Sequence, residues 1–305
     1  MRALLSEVFY WLFNMSISAS VVGIIVLLLG KIKKLPRRLV HILWVIPFLR
    51  MWIPVGISSK YSLMTLVSKF TTKTVVVYEG ALDYTLTNYI MAADKYFPIT
   101  YKVNLLDNLF NIASTVWIIV AVGLMIGFSM LYVITKSELK DASLLRDNIY
   151  VSGKINSPAI YGVFCPKIII PKGYEQRDLN YILAHESAHI QRKDNLWRIV
   201  AFISASIHWF NPFVWLFLKK FLEETELACD EQVLADCDED EKKAYALALV
   251  DCAESMNVFV SPFGGAKIRV RIDRILSYKK LSIISVASFI VFAIAIGYVL
   301  LTNAS

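Results

Sequence analysis

Residues 178–194 read DLNYILAHESAHIQRKD. The apolar pattern of DLNYILA predicts a helix from about Asp178, and that helix carries His185, Glu186 and His189 in the order HExxH. Histidines four apart project from one helix face, so both imidazoles reach a single zinc ion at about 2.0–2.1 Å. Glu186 then stands beside the open coordination position, where it can take a proton from a water whose pKa the metal brings to about 7. The chain holds only four histidines, and two of them at this spacing around a glutamate argue against a chance match on a solvated helix.

A catalytic zinc needs a third protein ligand. The position six beyond His189 is Asn195, and the other histidines, His41 and His208, lie in apolar segments, so a carboxylate is the natural choice. The stretch EETELACD, 223–230, reads as a second helix on which Glu226 and Asp230, four apart, share a face. Glu226 is assigned to the zinc. Asp230 is assigned to the free ring N–H of a ligand histidine, whose tautomer it would fix. The competing account of this acidic face is plain solvation.

Outward from these motifs the chain becomes too apolar for a soluble protein of 305 residues: 57% hydrophobic, 19% charged, mean hydropathy +0.55. Residues 8–30, 108–135, 199–218 and 281–305 contain no Asp, Glu, Lys or Arg. Membrane spans are predicted at about 9–30, 39–59, 110–134 and 281–301. The net charge of +7 reflects basic flanks beside these spans, namely Lys31, Lys33, Lys34, Arg37 and Arg38 before the second and Arg269, Arg271, Arg274, Lys279 and Lys280 before the last. No zinc-finger spacing or aromatic-interleaved basic face accompanies them, so direct nucleic-acid binding is not expected. Cys165, Cys229, Cys237 and Cys252 form no CxxC pair, and no disulfide framework is expected.

The basic flanks predict an external N-terminus, an external loop 60–107 and a cytoplasmic segment 136–280. Arg50 interrupts the second span and is read as a snorkelling or helix-paired arginine rather than a functional one. The apolar segment 199–218 is long enough to cross, but Asn211 and Pro212 break its middle. A crossing would also part His189 from Glu226 by a bilayer core of about 30 Å. It is therefore predicted to be a re-entrant or surface hairpin.

HESAHIQRKD at 185–194, HWFNP at 208–212, ELACDE at 226–231 and AYA at 244–246, with this span order, resemble the BlaR/MecR-type antirepressor membrane metallopeptidases. These are bacterial signal transducers whose gluzincin domain is inserted between membrane spans. The resemblance implies zinc ligands His185, His189 and Glu226, with Glu186 as catalytic base. It implies the bacterial cytoplasmic membrane as location, a DNA-binding repressor as cytosolic substrate, and self-cleavage within 261–280. The β-lactam-sensing members continue beyond their last span into an extracellular penicillin-binding domain; this sequence stops at Ser305, so no such sensor is expected.

Residues 148–171 read as short strands broken by Gly and Pro, either packing the HExxH helix or holding a substrate by strand addition. Asp238 is read as the cap of a helix running to about Met256. The expected fold is a mainly α membrane protein with four transmembrane helices, a re-entrant or surface hairpin, and a cytoplasmic gluzincin-like α+β zinc peptidase domain. Its parts are 1–135 with three spans, 136–280 with the zinc domain, and 281–305 with the last span. The expected activity is a zinc endopeptidase acting on a cytosolic regulator. A non-enzymatic signalling or scaffold subunit and a broad-specificity quality-control metalloprotease are the alternatives, and the sequence leaves a homodimer open.

Overall fold

A computed structural model describes residues 2–32, 35–52, 58–63, 65, 105–138, 141–155, 157–172, 176–254, 268–279 and 283–302. Two apolar helices, α1 (Arg2–Gly30) and α2 (Arg37–Trp52), form an antiparallel pair, and α3 (Leu105–Glu138) lies alongside α1. Ser6 donates a hydrogen bond to Asn111 Oδ1 at 2.8 Å, and the ring of Phe9 meets those of Phe110 and Trp117, so α1 and α3 run parallel. The last helix, α9 (Ile283–Leu301), packs beside α2. Arg50 is fully buried there and donates from Nη1 to the Leu301 carbonyl at 3.0 Å. A cation at the end of a helix satisfies a terminal carbonyl and complements the dipole, which is how this charge is accommodated.

Among the described residues three helical stretches are long and apolar enough to cross a membrane: Leu4–Gly30, Leu109–Ser137 and Ile284–Leu301. The expected second span, 39–59, is described as α2 as far as Trp52, 16 largely buried residues that include Pro47, and residues 53–57 lie outside the described residues. Of the four expected transmembrane helices, three are thus of membrane length among the described residues. The external loop 60–107 falls almost wholly outside the described residues.

Between α3 and α9 lies a small sheet, β1 (Ser143–Arg146), β2 (Ile149–Ser152), β3 (Ala159–Tyr161) and β4 (Lys167–Pro171), followed by five helices. The strand order is β1-β2-β4-β3, with the central pair parallel and both outer pairs antiparallel. Strand β1 precedes the stretch read as strands from the sequence. Ile168 and Ile170 of β4 pack with Leu179, Leu183 and Ile190 of α4 (Gln176–Gln191), so the sheet seats the HExxH helix.

The segment 199–218 is a helical hairpin of α5 (Asp194–Ile207) and α6 (Pro212–Leu234). Asn211 caps α6 by accepting the Phe213 N–H at 3.0 Å, and Pro212 occupies the first turn, where its missing N–H costs nothing. The Asn211 amide donates to Ser16 Oγ at 2.7 Å, Ser20 Oγ at 2.7 Å and the Ser16 carbonyl at 3.2 Å. Trp117 of α3 donates to the Ile207 carbonyl at 2.7 Å, satisfying the broken backbone as an apolar surrounding demands. Ser16 lies fourteen residues from Gly30, so the hairpin tip meets α1 about 21 Å from its basic end. Close contact continues at Gly23, where a Cβ would sit 2.2 Å from the Phe217 ring.

At the other end, Arg37 binds Glu224 Oε1 at 3.0 Å, and the Arg37 backbone N–H donates to Glu231. Helix α7 (Glu239–Glu254) opens on a capping box: Asp238 Oδ1 accepts the Glu241 N–H at 2.8 Å while Glu241 accepts the Asp238 N–H at 2.9 Å. Helix α8 (Ile268–Leu276) packs on α6 and α7.

Candidate metal centre

Helix α4 presents His185 and His189 one turn apart, both nearly buried at 6% and 5% exposure. Their Nε2 atoms face each other at 3.2 Å. Glu226 of α6 completes a triangle, with Oε2 3.5 Å from His185 Nε2 and Oε1 3.7 Å from His189 Nε2. Ligands around a tetrahedral zinc at 2.0–2.1 Å stand about 3.3–3.4 Å apart, so these three donors have the spacing the ion imposes.

The hydrogen bonds behind the imidazoles make the same point. Lys193 adopts a left-handed conformation, φ 56°, which turns the chain between α4 and α5 and returns Asp194 to His189. Asp194 is fully buried and its Oδ2 accepts from His189 Nδ1 at 2.6 Å. The Tyr245 hydroxyl of α7 donates to Asp230 Oδ1 at 2.7 Å and lies 2.8 Å from His185 Nδ1. Because the phenol proton goes to Asp230, His185 Nδ1–H donates to the phenol oxygen. Both tautomers are thus set with Nδ1 protonated, and two Nε2 lone pairs converge on one space. Converging lone pairs beside a carboxylate want a cation, and the donor set fits zinc.

Asp230 therefore acts on His185 chiefly through Tyr245, its own Oδ1 standing 3.4 Å from Nδ1. Arg271 of α8 grips Asp230 with two bonds, Nε to Oδ2 at 2.8 Å and Nη2 to Oδ1 at 2.6 Å. Burial opposes the charge on Asp230, but the Arg271 guanidinium and its hydrogen bonds outweigh it and hold the carboxyl below its ordinary value. Burial likewise opposes protonation of His185 and His189. The neighbouring acidic groups, Cys229 first at His185 and Glu226 first at His189, nevertheless lift each well above 6.5. Arg198 donates to Glu226 Oε1 at 2.8 Å. Glu186 is half-buried on α4, and among the described residues no hydrogen bond or ion pair engages its carboxylate.

Cys229 is the unexpected neighbour. It is fully buried one turn from Glu226, and its Sγ clusters with ring nitrogens of His185 and His189 within 4.8 Å. Its thiol donates to the His185 carbonyl at 3.1 Å. Sequence reasoning assigned Cys229, Asp194, Tyr245 and Arg198 no role, and Arg271 only that of a basic flank. Cys229, Asp194 and Tyr245 lie inside the quoted motifs. Arg271 keeps register with Ile268, Ile272 and Ile275 at helical spacing, which marks it as a charge on an apolar face.

Residues 10–273 match the family model described as BlaR1 peptidase M56. The chain is similar to Regulatory protein BlaR1 of Bacillus licheniformis, 29% identical over 157 residues that cover 48% of this chain and 26% of that protein. It is similar to Regulatory protein BlaR1 of Staphylococcus aureus, 25% identical over 189 residues covering 53% of this chain and 32% of the relative. The Methicillin resistance mecR1 protein of Staphylococcus aureus is 24% identical over 109 residues, 34% of this chain and 19% of its own length. The chain thus spans a third or less of these relatives.

Proposed function

Because the chain belongs to the BlaR1 peptidase M56 family of metallopeptidases, we propose that it is a membrane-embedded zinc endopeptidase that cleaves a cytosolic regulator in a signalling pathway. His185, His189 and Glu226 would hold the ion and Glu186 would be the base. The observation that carries this is the triangle of two imidazole nitrogens and one carboxylate at 3.2–3.7 Å, with the glutamate between the histidines left uncommitted. Zinc, when bound, supplies Lewis acidity to the scissile carbonyl and to water. Glu186 takes the proton from the attacking water and returns it to the leaving nitrogen. Strand β3 is an edge of the sheet, and Asn195 at the start of α5 donates to the Gly162 carbonyl just after it at 3.0 Å. That ties the edge to the HExxH region and suits it to hold an extended peptide.

The sidedness follows the basic loop. Arg37 joins residues 31–38 to α6 through Glu224 and Glu231, so the metal centre shares an end with that loop. The positive-inside bias makes this end cytoplasmic and the N-terminus external, with the α5–α6 hairpin entering the apolar layer without crossing it. A repressor as substrate is taken from the resemblance of the motifs to the antirepressor peptidases; the relatives' own names speak of regulation and of methicillin resistance. Self-cleavage within 261–280 remains part of the proposal; residues 261–267 and 280 lie outside the described residues.

Cys229 favours one competing reading, a closed structural site with four protein ligands. Glu186→Gln separates the two. With wild type and variant in lipid beside the repressor of a neighbouring gene, both should bind one zinc. Only wild type should yield fragments, the variant losing about 10²–10⁴-fold in rate. Fragments from neither return the closed site to first place, and equal cleavage by both removes Glu186 as the base.

A further inference from the structure

The peptidase reading leaves one element without a provider, a second donor for the carbonyl oxygen as it gains charge. We propose that Arg271 is a catalytic residue whose Nη1 donates to that oxygen, an inference that rests on the function proposed above.

The assignment comes from the way the guanidinium is divided. Nε and Nη2 are both committed to Asp230, at 2.8 and 2.6 Å. Nη1 is not. It lies 3.6 Å from Glu226 Oε2, beyond hydrogen-bond length, on the side of the carboxylate that faces His185. Nη2 stands 3.5 and 3.4 Å from Nδ1 and Nε2 of His185, and an atom nearly equidistant from both lies off the axis of the Nε2 lone pair. The fork therefore skirts the converging donors without blocking them, and its side chain keeps 12% exposure.

Among the described residues, Arg198 Nη2 is bonded to Glu226 Oε1, the carboxylate oxygen on the His189 side, with its Nε buried and unpartnered, and the Tyr245 hydroxyl is held between Asp230 and His185 Nδ1, behind the imidazole. A fixed cation beside a site built to collect a metal ion is unfavourable in the resting state, because like charges repel. Its placement is favourable where negative charge appears during reaction. As water oxygen adds to the carbonyl carbon, the C=O π pair moves onto the carbonyl oxygen, and Glu186 takes the proton. When that pair returns, the C–N bond breaks and the nitrogen leaves with the proton from Glu186. Arg271 exchanges no proton and donates throughout.

Two probes on the zinc-loaded protein in lipid test this by binding alone. An N-phosphoryl dipeptide carries a tetrahedral, anionic phosphoryl group; a hydroxamate of the same dipeptide binds zinc without one. Arg271→Met should lose about 100-fold in affinity for the phosphoryl probe and leave hydroxamate affinity within about threefold. Arg271→Lys keeps the charge and the Asp230 pair, so it carries the test if the methionine variant does not fold. A single ammonium cannot serve Asp230 and the ligand together, so it should still lose about tenfold on the phosphoryl probe alone. Equal losses on both probes mean a positioning role through Asp230 and overturn the proposal, as does an unchanged phosphoryl affinity or no phosphoryl binding by wild type. Failure of wild type to bind the hydroxamate sinks the peptidase reading itself.

Discussion

Helix α6 carries two buried arginine–carboxylate pairs six residues apart, and they settle the same conflict in opposite directions. Burial disfavours charge on both acids. At Glu224 burial wins over Arg37 and the carboxyl is pushed above its usual 4.5. At Asp230 burial loses to Arg271 and the carboxyl falls below 3.8. The difference lies in how each guanidinium is shared. Arg37 gives Glu224 one nitrogen, Nη1, at 3.0 and 3.3 Å, while the same group also serves the Gly30 and Ile32 carbonyls. Arg271 gives Asp230 two nitrogens, and Tyr245 adds a third donor. A fork aimed at one carboxylate outweighs desolvation; a donor spread over a helix terminus does not.

Breaking the site pair should have the largest effect on stability. Asp230→Ala strands a buried guanidinium and should cost about 3–5 kcal/mol in denaturant unfolding, with loss of bound zinc. A loss under about 1 kcal/mol means that water reaches Arg271 and that the contrast with Arg37 is false. Glu224→Gln should cost less, about 1–2 kcal/mol, because Arg37 keeps its carbonyl partners. Equal costs for the two variants erase the distinction drawn from the fork.

Acid sharpens the comparison with the smallest change. The raised pKa of Glu224 means that the folded state holds a proton the unfolded state lacks, so this residue's contribution is most favourable below 4.5 and is lost as pH rises through its folded value. The depressed pKa of Asp230 works the other way: its contribution is present above 3.8 and is lost as pH falls further. Between neutral pH and 4.5 the stability gap between wild type and Asp230→Asn should stay constant, while that between wild type and Glu224→Gln should move in favour of wild type. Parallel curves contradict the assignment.

What could be read from the sequence follows from distance along the chain. His185, Glu186 and His189 sit on one helix turn, and Asn211-Pro212 announces its own break, so periodicity and backbone chemistry sufficed for the HExxH helix and the hairpin. Glu226 and Asp230 could be proposed because they share a face. Tyr245 and Arg271 reach His185 across 60 and 86 residues, and spacing does not reveal such partners. Arg271 also lies among Arg269, Arg274, Lys279 and Lys280, whose composition reads as a membrane flank, and only its register with buried Ile275 sets it apart. The far end of the second span, 53–57, lies outside the described residues.

The cap at Asn211 has a mechanical side. Pro212 and Glu226 are the ends of fourteen rises of one unbroken helix, a rod about 21 Å long. One end is pinned to α1 by the Asn211 amide and pressed against it at Gly23; the other holds a carboxylate over two histidines. Pivoting such a rod by about 3° moves its far end by about 1 Å. Helix tilt is how apolar segments answer a thinner or thicker bilayer. With the hairpin in the lipid, as proposed above, an angle set there becomes a distance at the metal centre.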